Sequence, residues 1–338
     1  MAGSVLVTGG AGFIGSHLVR ALLEIAETEN SAVVVVDDLS GGFQDNLPSD
    51  PRLEFVRGSV TDATLVRDLF ARFQFRYVYH LAAYAAEGLS HFIRGFNYTN
   101  NLLGSVHLIN QSVLYEVKCF VFTSSIAVYG AGQVPMREDF APKPEDPYGI
   151  AKYAVELDLE AASTMFGLDY VVFRPHNVYG EYQNLGDRYR NVVGIFMNQI
   201  LQGEPMTIFG DGTQERGFTY VGDIAPVLAR APFVRGARNE VFNLGANTSY
   251  TVNYLAERVA AAMGVTGHPL AHLPARKEVH AAYADQEKAR RVFGPTSETS
   301  LEEGLARMAA WAHKVGSRSS RRFQRIEVAK NMPPSWVD

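Results

Sequence analysis

Val5-Leu-Val-Thr-Gly-Gly-Ala-Gly-Phe-Ile-Gly-Ser-His17 joins an apolar, β-branched run to the start of a helical pattern. Its three spaced glycines are Gly9, Gly12 and Gly15. Glycines at this spacing permit a tight turn, close approach of the backbone to a phosphate, and close packing of a helix on a strand. The helix that follows would direct free N–H groups and its positive dipole end towards the turn. The stretch therefore predicts an anion-binding turn between a first strand and a first helix.

Short apolar runs alternate with helical patterns through the first half of the chain. Apolar runs without polar alternation are typical of parallel strands that are covered on both faces. The sequence predicts strands at residues 4–8, 32–36, 53–56, 77–81, 119–124 and 169–174, and helices at residues 16–27, 62–73, 97–115 and 148–166. We therefore predict an α/β fold with a Rossmann-type, doubly wound parallel sheet.

Beyond about residue 175 the pattern loosens into loops that surround short strands (206–209, 241–244) and helices (252–263, 301–314). We expect a Rossmann domain at residues 1–175 and a smaller α/β substrate domain at residues 176–315, some of whose segments return to the sheet. A C-terminal extension would cover residues 316–338. This extension is basic at first and ends in Pro333-Pro334-Ser-Trp336. We expect it to be solvated or covered by a partner.

Composition excludes several classes of protein. The formal net charge is −5, so a general attraction to nucleic acid or to acidic membranes is not expected. The lone cysteine, Cys119, cannot form an internal disulfide and lies in an apolar run, which indicates a buried strand residue. No signal peptide or membrane-spanning run is recognised, and no metal site is predicted. We therefore expect a cytoplasmic protein.

Asp37 lies at the end of the second predicted strand, 22 residues after Gly15. An acid at this place accepts hydrogen bonds from the adenosine ribose of a dinucleotide and repels the extra phosphate of NADP. Asp38 follows, and no arginine is close behind. The glycine turn and Asp37 together predict NAD as the cofactor.

Tyr148-Gly-Ile-Ala-Lys152 places a phenol and an ammonium on one face of a helix. A tyrosine with a pKa of about 10 is a poor base at neutral pH, but a nearby Lys⁺ and a positive nicotinamide ring stabilise its phenolate. Lowering that pKa to about 7 requires roughly 4 kcal/mol. Upstream, Ser125 ends a strand and could donate to a substrate hydroxyl while Tyr148 acts as the base, although a turn-forming role is its alternative.

Six features occur in one order along the chain: the glycine turn, Asp37, His80-Leu-Ala-Ala83, Thr123-Ser-Ser125, Tyr148/Lys152 and Arg174-Pro-His-Asn-Val-Tyr-Gly180. In this combination the chain resembles the extended short-chain dehydrogenase/reductase family, from about Val5 to Trp311. Within that family it is most similar to the NAD-dependent nucleotide-sugar epimerases of the UDP-glucose 4-epimerase type.

The resemblance implies a role for each matching residue. Tyr148 would be the base, Lys152 would bind the nicotinamide ribose, and Ser125 would bind the sugar hydroxyl. The implied cofactor-binding residues are Gly9, Gly12, Phe13, Ile14, Gly15, Asp37, Asp38, Ser59, Val60, Leu81, Ala82, Ala83, Asn100 (or its neighbour Asn101), Thr123, Tyr148 and Lys152. The implied substrate-binding residues are Ser125, Asn177, Ile208, Phe209, Arg216 and Arg276.

The chain departs from the family pattern at several positions. Ser59 stands where the family usually has an acid near the adenine, and Arg276 stands one residue closer than usual to the following acid. Glu87 either touches the sugar or caps the next helix. Ala282 stands where a bulky aromatic excludes N-acetylated sugars in some relatives, so a UDP-N-acetylhexosamine would have room. A uronic acid, with Arg188 or Arg190 on its carboxylate, is a further alternative.

Relatives in this family share a first step, in which the tyrosine removes a proton from the sugar 4-hydroxyl while a hydride passes to NAD⁺. Dehydratases of the family carry an Asp-Glu pair directly after the catalytic hydroxyl residue, whereas this chain has Ile126-Ala127. The resemblance therefore implies epimerisation at C4 of a UDP-sugar with no net redox change. A decarboxylase or reductase of the same family, and a non-catalytic NAD-binding scaffold protein, are the alternatives. Relatives dimerise, so a homodimer through residues 97–115 and 148–166 is expected.

Overall fold

The computed structural model describes residues 3–25, 28, 31–132, 134–275, 279–295, 298–319 and 323–337. Its strands are β1 (Ser4–Thr8), β2 (Val33–Asp37), β3 (Leu53–Arg57), β4 (Phe75–His80), β5 (Cys119–Thr123), β6 (Tyr170–Pro175), β7 (Val178–Tyr179), β8 (Met206–Phe209), β9 (Glu215–Gly217), β10 (Thr219–Tyr220), β11 (Glu240–Leu244), β12 (Ser249–Thr251), β13 (Leu270–Leu273) and β14 (Ala281–Ala282).

The α-helices of the same residues are α1 (Phe13–Glu24), α2 (Ala63–Phe73), α3 (Glu87–Ser90), α4 (Arg94–Tyr98), α5 (Gly104–Leu114), α6 (Pro147–Phe166), α7 (Val192–Gln202), α8 (Val221–Arg230), α9 (Val252–Ala262), α10 (Glu287–Phe293), α11 (Leu301–Val315) and α12 (Pro334–Val337). A wider π-helical turn over Thr99–Leu103 joins α4 to α5, and a short 3-10 helix spans Ile126–Tyr129.

Seven parallel strands form the central sheet in the order β3-β2-β1-β4-β5-β6-β11. The direction in which strands are added reverses between β1 and β4. In sheets of this kind ligands bind in the crevice beyond the carboxyl ends of the strands at that reversal. The predicted Rossmann-type, doubly wound parallel sheet is confirmed.

Both faces of the sheet are covered, which explains why its strands lack polar alternation. Val5 and Val7 of β1 pack with Leu18 of α1 in the core on one face. Leu6, between them, packs in the second core on the other face with Phe70 of α2. Burying each such side chain contributes roughly 1.5–3 kcal/mol, so successive apolar residues fit this strand and an alternating pattern would not.

Local signals set the ends of the helices. The Asp62 carboxylate accepts hydrogen bonds from the backbone N–H groups of Thr64 and Leu65 and so caps α2. Asp146 caps α6 in the same way, accepting from Gly149 over 3.0 Å, and Gly167 ends α6 in the left-handed conformation. The cap at Asp146 fixes where α6 begins, which places Tyr148 in its first turn.

The second half of the chain contributes both to the sheet and to smaller units. Strand β11 pairs with β6 and so extends the central sheet. The remaining strands form small sheets, β12-β9-β14, β8-β13 and β7-β10. Helix α8 packs against α1 on one face of the central sheet. The division of the chain at residues 175 and 315 stays a prediction.

The C-terminal extension is exposed over much of its described length, as expected, but a few of its side chains anchor it to the protein, which the sequence did not predict. Trp336 is buried in a cluster with Ala86, Leu89 and Ile93, and Phe323 and Met332 pack against the same cluster. Aromatic and apolar side chains in the extension supply the reason, because an intramolecular apolar surface is available to bury them. The extension therefore folds back onto the segment that contains α3 and α4.

Cys119 is fully buried in β5 and has no disulfide partner among the described residues, as the sequence predicted. Among the described helices, none combines the length and the apolar character needed to cross a lipid bilayer.

Candidate active site

A cleft of about 610 Å³ runs across the carboxyl ends of the sheet strands. Its lining contains every predicted cofactor-binding residue and every predicted substrate-binding residue except Arg276, which lies outside the described residues. Further lining residues that the sequence did not single out include Tyr84, Asp146, His176 and Asp187. The fold therefore brings together residues that are more than two hundred positions apart in the chain, such as Gly9 and Arg216.

The glycine turn has the backbone geometry that its spacing predicted. Gly9 has a φ of +71°, and a Cβ there would lie 2.7 Å from the backbone nitrogen of Ala82. A Cβ on Gly15 would overlap the carbonyl oxygen of Gly9, so α1 packs directly on the turn. Gly12 caps α1 without any side-chain hydrogen bond, which leaves the start of this helix open towards the cleft.

Asp37 stands at the end of β2 beside this turn. Its carboxylate accepts hydrogen bonds from the backbone N–H groups of Ala11, at 3.1 Å, and Leu39, at 2.8 Å. Burial raises the pKa of Asp37, and these hydrogen bonds oppose the rise. Asp38 accepts from the N–H of Ser40 and also lines the cleft. A carboxylate has more acceptor sites than these bonds use, so Asp37 can also accept from ribose hydroxyls.

The two candidate asparagines have different surroundings. Asn100 lines the cleft, and its side-chain amide donates to the carbonyl of Phe96. Asn101 is buried: its Nδ2 donates to the carbonyl of Tyr84, and its Oδ1 accepts from the N–H of Tyr84. Asn101 therefore holds the backbone of Tyr84, which is itself part of the cleft wall.

Ser59, Val60 and the segment Leu81–Ala83 complete the cofactor side of the cleft. The Ser59 hydroxyl bonds the hydroxyl of Thr61 at 2.9 Å, which orders the turn after β3. His80, just before Leu81, is buried, and its ring bonds the hydroxyls of Thr8 and Ser105. Burial lowers the pKa of His80 to about 3, so this ring is a neutral link between β4, β1 and α5.

Tyr148 and Lys152 lie one turn apart on α6, with only 7% and 3% of their surfaces exposed. The Lys152 Nζ donates to the carbonyl oxygen of Thr123 over 2.7 Å and lies 5.8 Å from the centre of the Tyr148 ring. The Ser125 hydroxyl is hydrogen-bonded with Tyr148, and it also accepts from the N–H of Ala127 at 3.1 Å. The structure therefore assembles Ser125, Tyr148 and Lys152 as one cluster.

Burial dominates the electrostatics of this cluster. Burial raises the pKa of Tyr148, and the hydrogen bond with Ser125 lowers it. The charges of Asp146 and Glu87 raise this pKa further, whereas the charge of Arg190 lowers it. Burial also lowers the pKa of Lys152 to about 7, against the charge of Glu156. The chain's own groups therefore do not lower the pKa of Tyr148 towards neutrality, because desolvation outweighs them; its lowering by Lys⁺ together with a positive nicotinamide ring stays a prediction.

A buried ion pair lies behind the cluster, and sequence reasoning missed its acidic member. Glu156, one turn after Lys152, accepts from Arg174 Nε at 3.1 Å and Nη2 at 2.5 Å. It also accepts from the hydroxyl of Ser124, which precedes Ser125. Glu156 thus ties α6 to the ends of β5 and β6. An acid on the buried face of a helix, with an arginine at a nearby strand end, was the signal that could have revealed it.

The substrate side of the cleft is formed by residues from the second half of the chain. Asn177 has a φ of +38°, an uncommon value for a non-glycine residue, and its amide donates to the carbonyl of Gly217 at 3.1 Å. The Arg216 guanidinium donates to the carbonyls of Val279 and His280. Ile208 and Phe209 of β8 line the same side. These contacts fix an amide and a guanidinium, both suited to phosphate oxygens, in the cleft.

Four further candidates from the sequence lie in or near the cleft. Glu87 is the first residue of α3, is exposed, and lines the cleft. Arg190 also lines the cleft; its Nε donates to Asp187 at 2.6 Å. Arg188 instead donates to the carbonyl of Ser335 in the C-terminal extension. Ala282 lines the cleft with little exposed surface.

These residues fit NAD. Among the described residues, a Cβ on Gly12 would approach only the carbonyl group of Gly9, whose oxygen would lie 3.0 Å away. The side of Gly12 that faces the cleft can therefore accept a pyrophosphate. Among the described residues the buried Thr123 Oγ1 has no hydrogen-bond partner, which leaves a polar group for a ligand in the middle of the cleft. Asp37 and Lys152, which both line the cleft, stay the predicted ribose-binding groups.

Comparison with known proteins agrees with this geometry. The UDP-glucose 4-epimerase of Mycolicibacterium smegmatis is 35% identical over 307 residues, which are 89% of this chain and 96% of that protein. The dTDP-glucose 4,6-dehydratase of an Actinoplanes strain is 31% identical over 316 residues, covering 91% and 97%.

The solved UDP-glucose 4-epimerase of Thermotoga maritima with UDP-glucose superimposes with a TM-score of 0.84. It is 36% identical, and the match covers 92% of this chain and 99% of that one. Solved structures of other relatives contain NAD. The model of the NAD dependent epimerase/dehydratase family matches residues 5–245. The chain is therefore an NAD-dependent enzyme of the NAD dependent epimerase/dehydratase family.

Proposed function

We propose that the enzyme epimerises a UDP-sugar at C4 through a transient 4-keto intermediate, with no net redox change. The observation that carries this proposal is the pair Ile126-Ala127, which lines the cleft directly after Ser125. Neither side chain can give or take a proton. The dehydratases that the chain resembles need an acid and a base at these two positions to eliminate water. Without them the 4-keto sugar is left to accept the same hydride on its other face.

The chain's own groups carry the proton chemistry. Tyr148 accepts the proton of the sugar 4-hydroxyl, and Ser125, hydrogen-bonded with Tyr148, holds that hydroxyl in line. Lys152 is held beside the tyrosine by the Thr123 carbonyl. Bound NAD supplies a reversible hydride acceptor and a positive ring. That charge supports the phenolate form of Tyr148, which the buried site alone disfavours.

The nucleotide part of the substrate is assigned to the other side of the cleft. Asn177 and Arg216 bind the diphosphate, and Ile208 and Phe209 border the base. A firm hold on the nucleotide, together with a looser hold on the sugar, permits the 4-keto sugar to rotate before the hydride returns. Arg276 is proposed as a second phosphate ligand on the resemblance alone.

A panel of UDP-sugars tests the proposal. Purified enzyme is incubated without added reductant or NAD with UDP-glucose, UDP-galactose, the two UDP-N-acetylhexosamines and UDP-glucuronate, and the products are separated. We expect interconversion of one C4 pair and release of neither water nor carbon dioxide. A 4-keto-6-deoxy product would make the enzyme a dehydratase, and a pentose product would make it a decarboxylase.

Tyr148→Phe separates catalysis from simple binding. We expect kcat to fall by about 10²–10⁴-fold, because the phenol that moves the proton is lost, while NAD remains bound. Tyr254→Phe, at a half-exposed tyrosine whose hydroxyl donates to Glu302, is the matched control. Binding of UDP-sugar and NAD without turnover in the wild-type enzyme would instead support the scaffold alternative.

A homodimer through α5 and α6 is part of the proposal. Seven large apolar side chains at these helices and their ends are exposed: Leu103, Leu114, Tyr115, Ile150, Leu157, Met165 and Phe166. Exposed apolar side chains on neighbouring helices support a protein–protein interface there. A twofold interface would bury the same surface on both copies.

A further inference from the structure

The C-terminal tail, defined as residues 316–319 and 323–337, packs against one wall of the cleft. Phe323 contacts the rings of Tyr84 and Phe96, with centroid distances of 5.3 Å and 4.8 Å. Trp336 packs edge-on against the rings of Phe92 and Tyr189. Of these six aromatic residues, Tyr84, Phe96 and Tyr189 line the cleft. The tail therefore lies directly behind side chains that a substrate would meet.

Polar contacts fix the tail in this place. The Glu327 carboxylate accepts hydrogen bonds from the backbone N–H groups of Gly95, at 2.6 Å, and Phe96, at 2.8 Å. The N–H groups of Glu327 and Val328 donate to the carbonyl of Phe92. A carboxylate on free N–H groups at the start of a helix is a favourable pairing. These bonds join the tail to the segment that carries α3 and α4.

The tail is also bound to a second segment, which is distant from the first in the chain. Arg188 donates to the carbonyl of Ser335 at 3.1 Å, and the N–H of Phe323 donates to the hydroxyl of Tyr189 at 3.3 Å. The tail thus bridges residues 84–96 and residues 187–190. Between these two segments the guanidinium of Arg190 lies 5.0 Å from the centre of the Tyr84 ring. We refer to Tyr84, Glu87, Tyr189 and Arg190 as the cleft wall.

The cleft wall faces the proton-transferring tyrosine. Glu87 and Arg190 are both close enough for their charges to act on Tyr148, in opposite directions. A shift of the wall would therefore change the contacts of a bound sugar and the electrostatic surroundings of its 4-hydroxyl together. Asn177 and Arg216, which are assigned to the diphosphate, belong to other elements, where they donate to the carbonyls of Gly217, Val279 and His280.

We infer that the C-terminal tail is a positioning element of the active site, which holds the cleft wall against Tyr148 and so determines how the sugar half of the substrate is bound. Phe323 and Trp336 act through Tyr84 and Tyr189, and Glu327 holds the start of α4. This inference rests on the proposed function for the identity of the sugar nucleotide. It adds that sugar recognition depends on residues beyond the segment matched by the family model, which ends at residue 245.

The test compares the affinity for the whole substrate with the affinity for its nucleotide half. Phe323→Ala and Trp336→Ala are prepared in the full-length enzyme, with Val328→Ala as the control because that tail side chain is 45% exposed. We expect KM for the preferred UDP-sugar to rise by at least about tenfold. The Kd of UDP alone, measured by calorimetry, should change by no more than about twofold, since sites that share no partners are nearly independent.

A tail that only stabilises the fold gives a different result. In that case the melting temperature falls while KM and the Kd of UDP stay at the wild-type values. Alternatively, KM and the Kd of UDP rise by the same factor. Either result overturns the inference. Phe323→Leu and Trp336→Phe keep most of the apolar surface but change the contacts between the rings. If an alanine variant does not fold, we expect the same rise in KM, with an unchanged Kd of UDP, in these two variants.

Failure of the proposed function can be distinguished from failure of this inference. If the wild-type enzyme binds UDP-sugars without interconverting them, C4 epimerisation is wrong, and the Kd values of UDP-sugar and UDP still decide the role of the tail. Amide hydrogen exchange needs no substrate at all. It should become faster at residues 84–96 and 187–190 in Phe323→Ala and stay unchanged at the glycine turn; unchanged exchange in the wall contradicts the inference.

Discussion

Lys152 Nζ donates to the backbone carbonyl of Thr123 across 2.7 Å, which joins α6 to the end of β5. This bond places a cation deep in the protein, and its other near neighbours are the rings of Phe122 and Tyr148. Desolvation there lowers the pKa of Lys152 to about 7. The bond therefore positions Lys152 for the active site at a cost in stability that depends on pH.

The first prediction follows from that cost. In the unfolded chain a lysine holds its proton up to a pKa of about 10.4, whereas in the folded protein Lys152 releases it near 7. Between these values the unfolded state binds more protons, so the free energy of unfolding rises with pH. Below about pH 7 the penalty is fully present, and above about pH 10.4 it is absent.

Lys152→Met removes this contribution. We expect the variant to gain most in unfolding free energy, relative to the wild-type enzyme, at pH 6–7, and the gain to shrink as the pH approaches 10. Urea denaturation at several pH values measures it. Lys118→Met, at an exposed lysine, is the matched control. A gain that is equal at pH 6.5 and pH 9.5 would mean that Lys152 is not held in a desolvated site.

The second prediction concerns the ion pair between Glu156 and Arg174, whose side chains are 5% and 4% exposed. Glu156→Gln leaves the guanidinium buried without a countercharge, so we expect a loss of about 3–5 kcal/mol in unfolding free energy. Glu303→Gln breaks the exposed pair between Glu303 and Arg307, and there we expect a loss of less than about 1 kcal/mol.

A double variant separates charge from packing at this pair. Glu156→Gln combined with Arg174→Met removes both charges, so part of the lost stability should return. Equal losses in the single and double variants would show that the unpaired charge of Arg174 does not explain the effect.

The third prediction concerns Gly12, which caps α1. Its φ of −75° suits any residue, and the tightest contact of a new Cβ would be 3.0 Å from the Gly9 carbonyl oxygen, so we expect Gly12→Ala to fold after a small local shift. The methyl group would occupy the space that a pyrophosphate needs, and we expect NAD affinity to fall by at least about tenfold. Gly236→Ala, where a Cβ would make an ordinary 3.7 Å contact with Val292, is the control.

NAD content after purification, measured by release on denaturation, checks this prediction. The prediction is contradicted if Gly12→Ala retains as much NAD as the wild-type enzyme and has the same melting temperature as Gly236→Ala. In that case the pyrophosphate does not approach the backbone at Gly12.

The sequence predicted those parts of the molecule whose signals are local. Continuous apolar runs such as Cys119–Thr123 can hardly be anything but buried strands, and the residues that follow them necessarily meet at one edge of a parallel sheet. Helix α8 was not predicted, because Gly222 in its first turn and Pro226 in its interior are both poor helix formers. Packing against α1 compensates for that weakness, and packing is not visible in a local pattern.

The contacts that join distant segments were also beyond the sequence. Glu156 and Arg174 are 18 positions apart; the sequence offers an acid on the buried face of a helix and an arginine at a strand end, but it does not show that the two pair. In the same way, Trp336 and Phe323 look like isolated aromatic residues in a basic tail. Only the fold shows that a cluster with an apolar face, including Leu89 and Ile93, lies within their reach.

The last prediction concerns assembly. Leu157 on α6 is 48% exposed. Ile150, about two helical turns before it on the same face, and Phe166, at the end of the helix, are also exposed. A charge placed at the centre of a self-complementary apolar interface would face its own copy and lose its hydration. We therefore expect Leu157→Glu to convert a dimer into a monomer, as measured by light scattering coupled to size-exclusion chromatography. Leu270→Glu, at a leucine that is 43% exposed in β13, is the control, and it should leave the mass unchanged. A monomeric wild-type enzyme, or a dimer that survives Leu157→Glu, would place the self-association surface elsewhere or remove it, and the exposed apolar side chains of α5 and α6 would then need another partner.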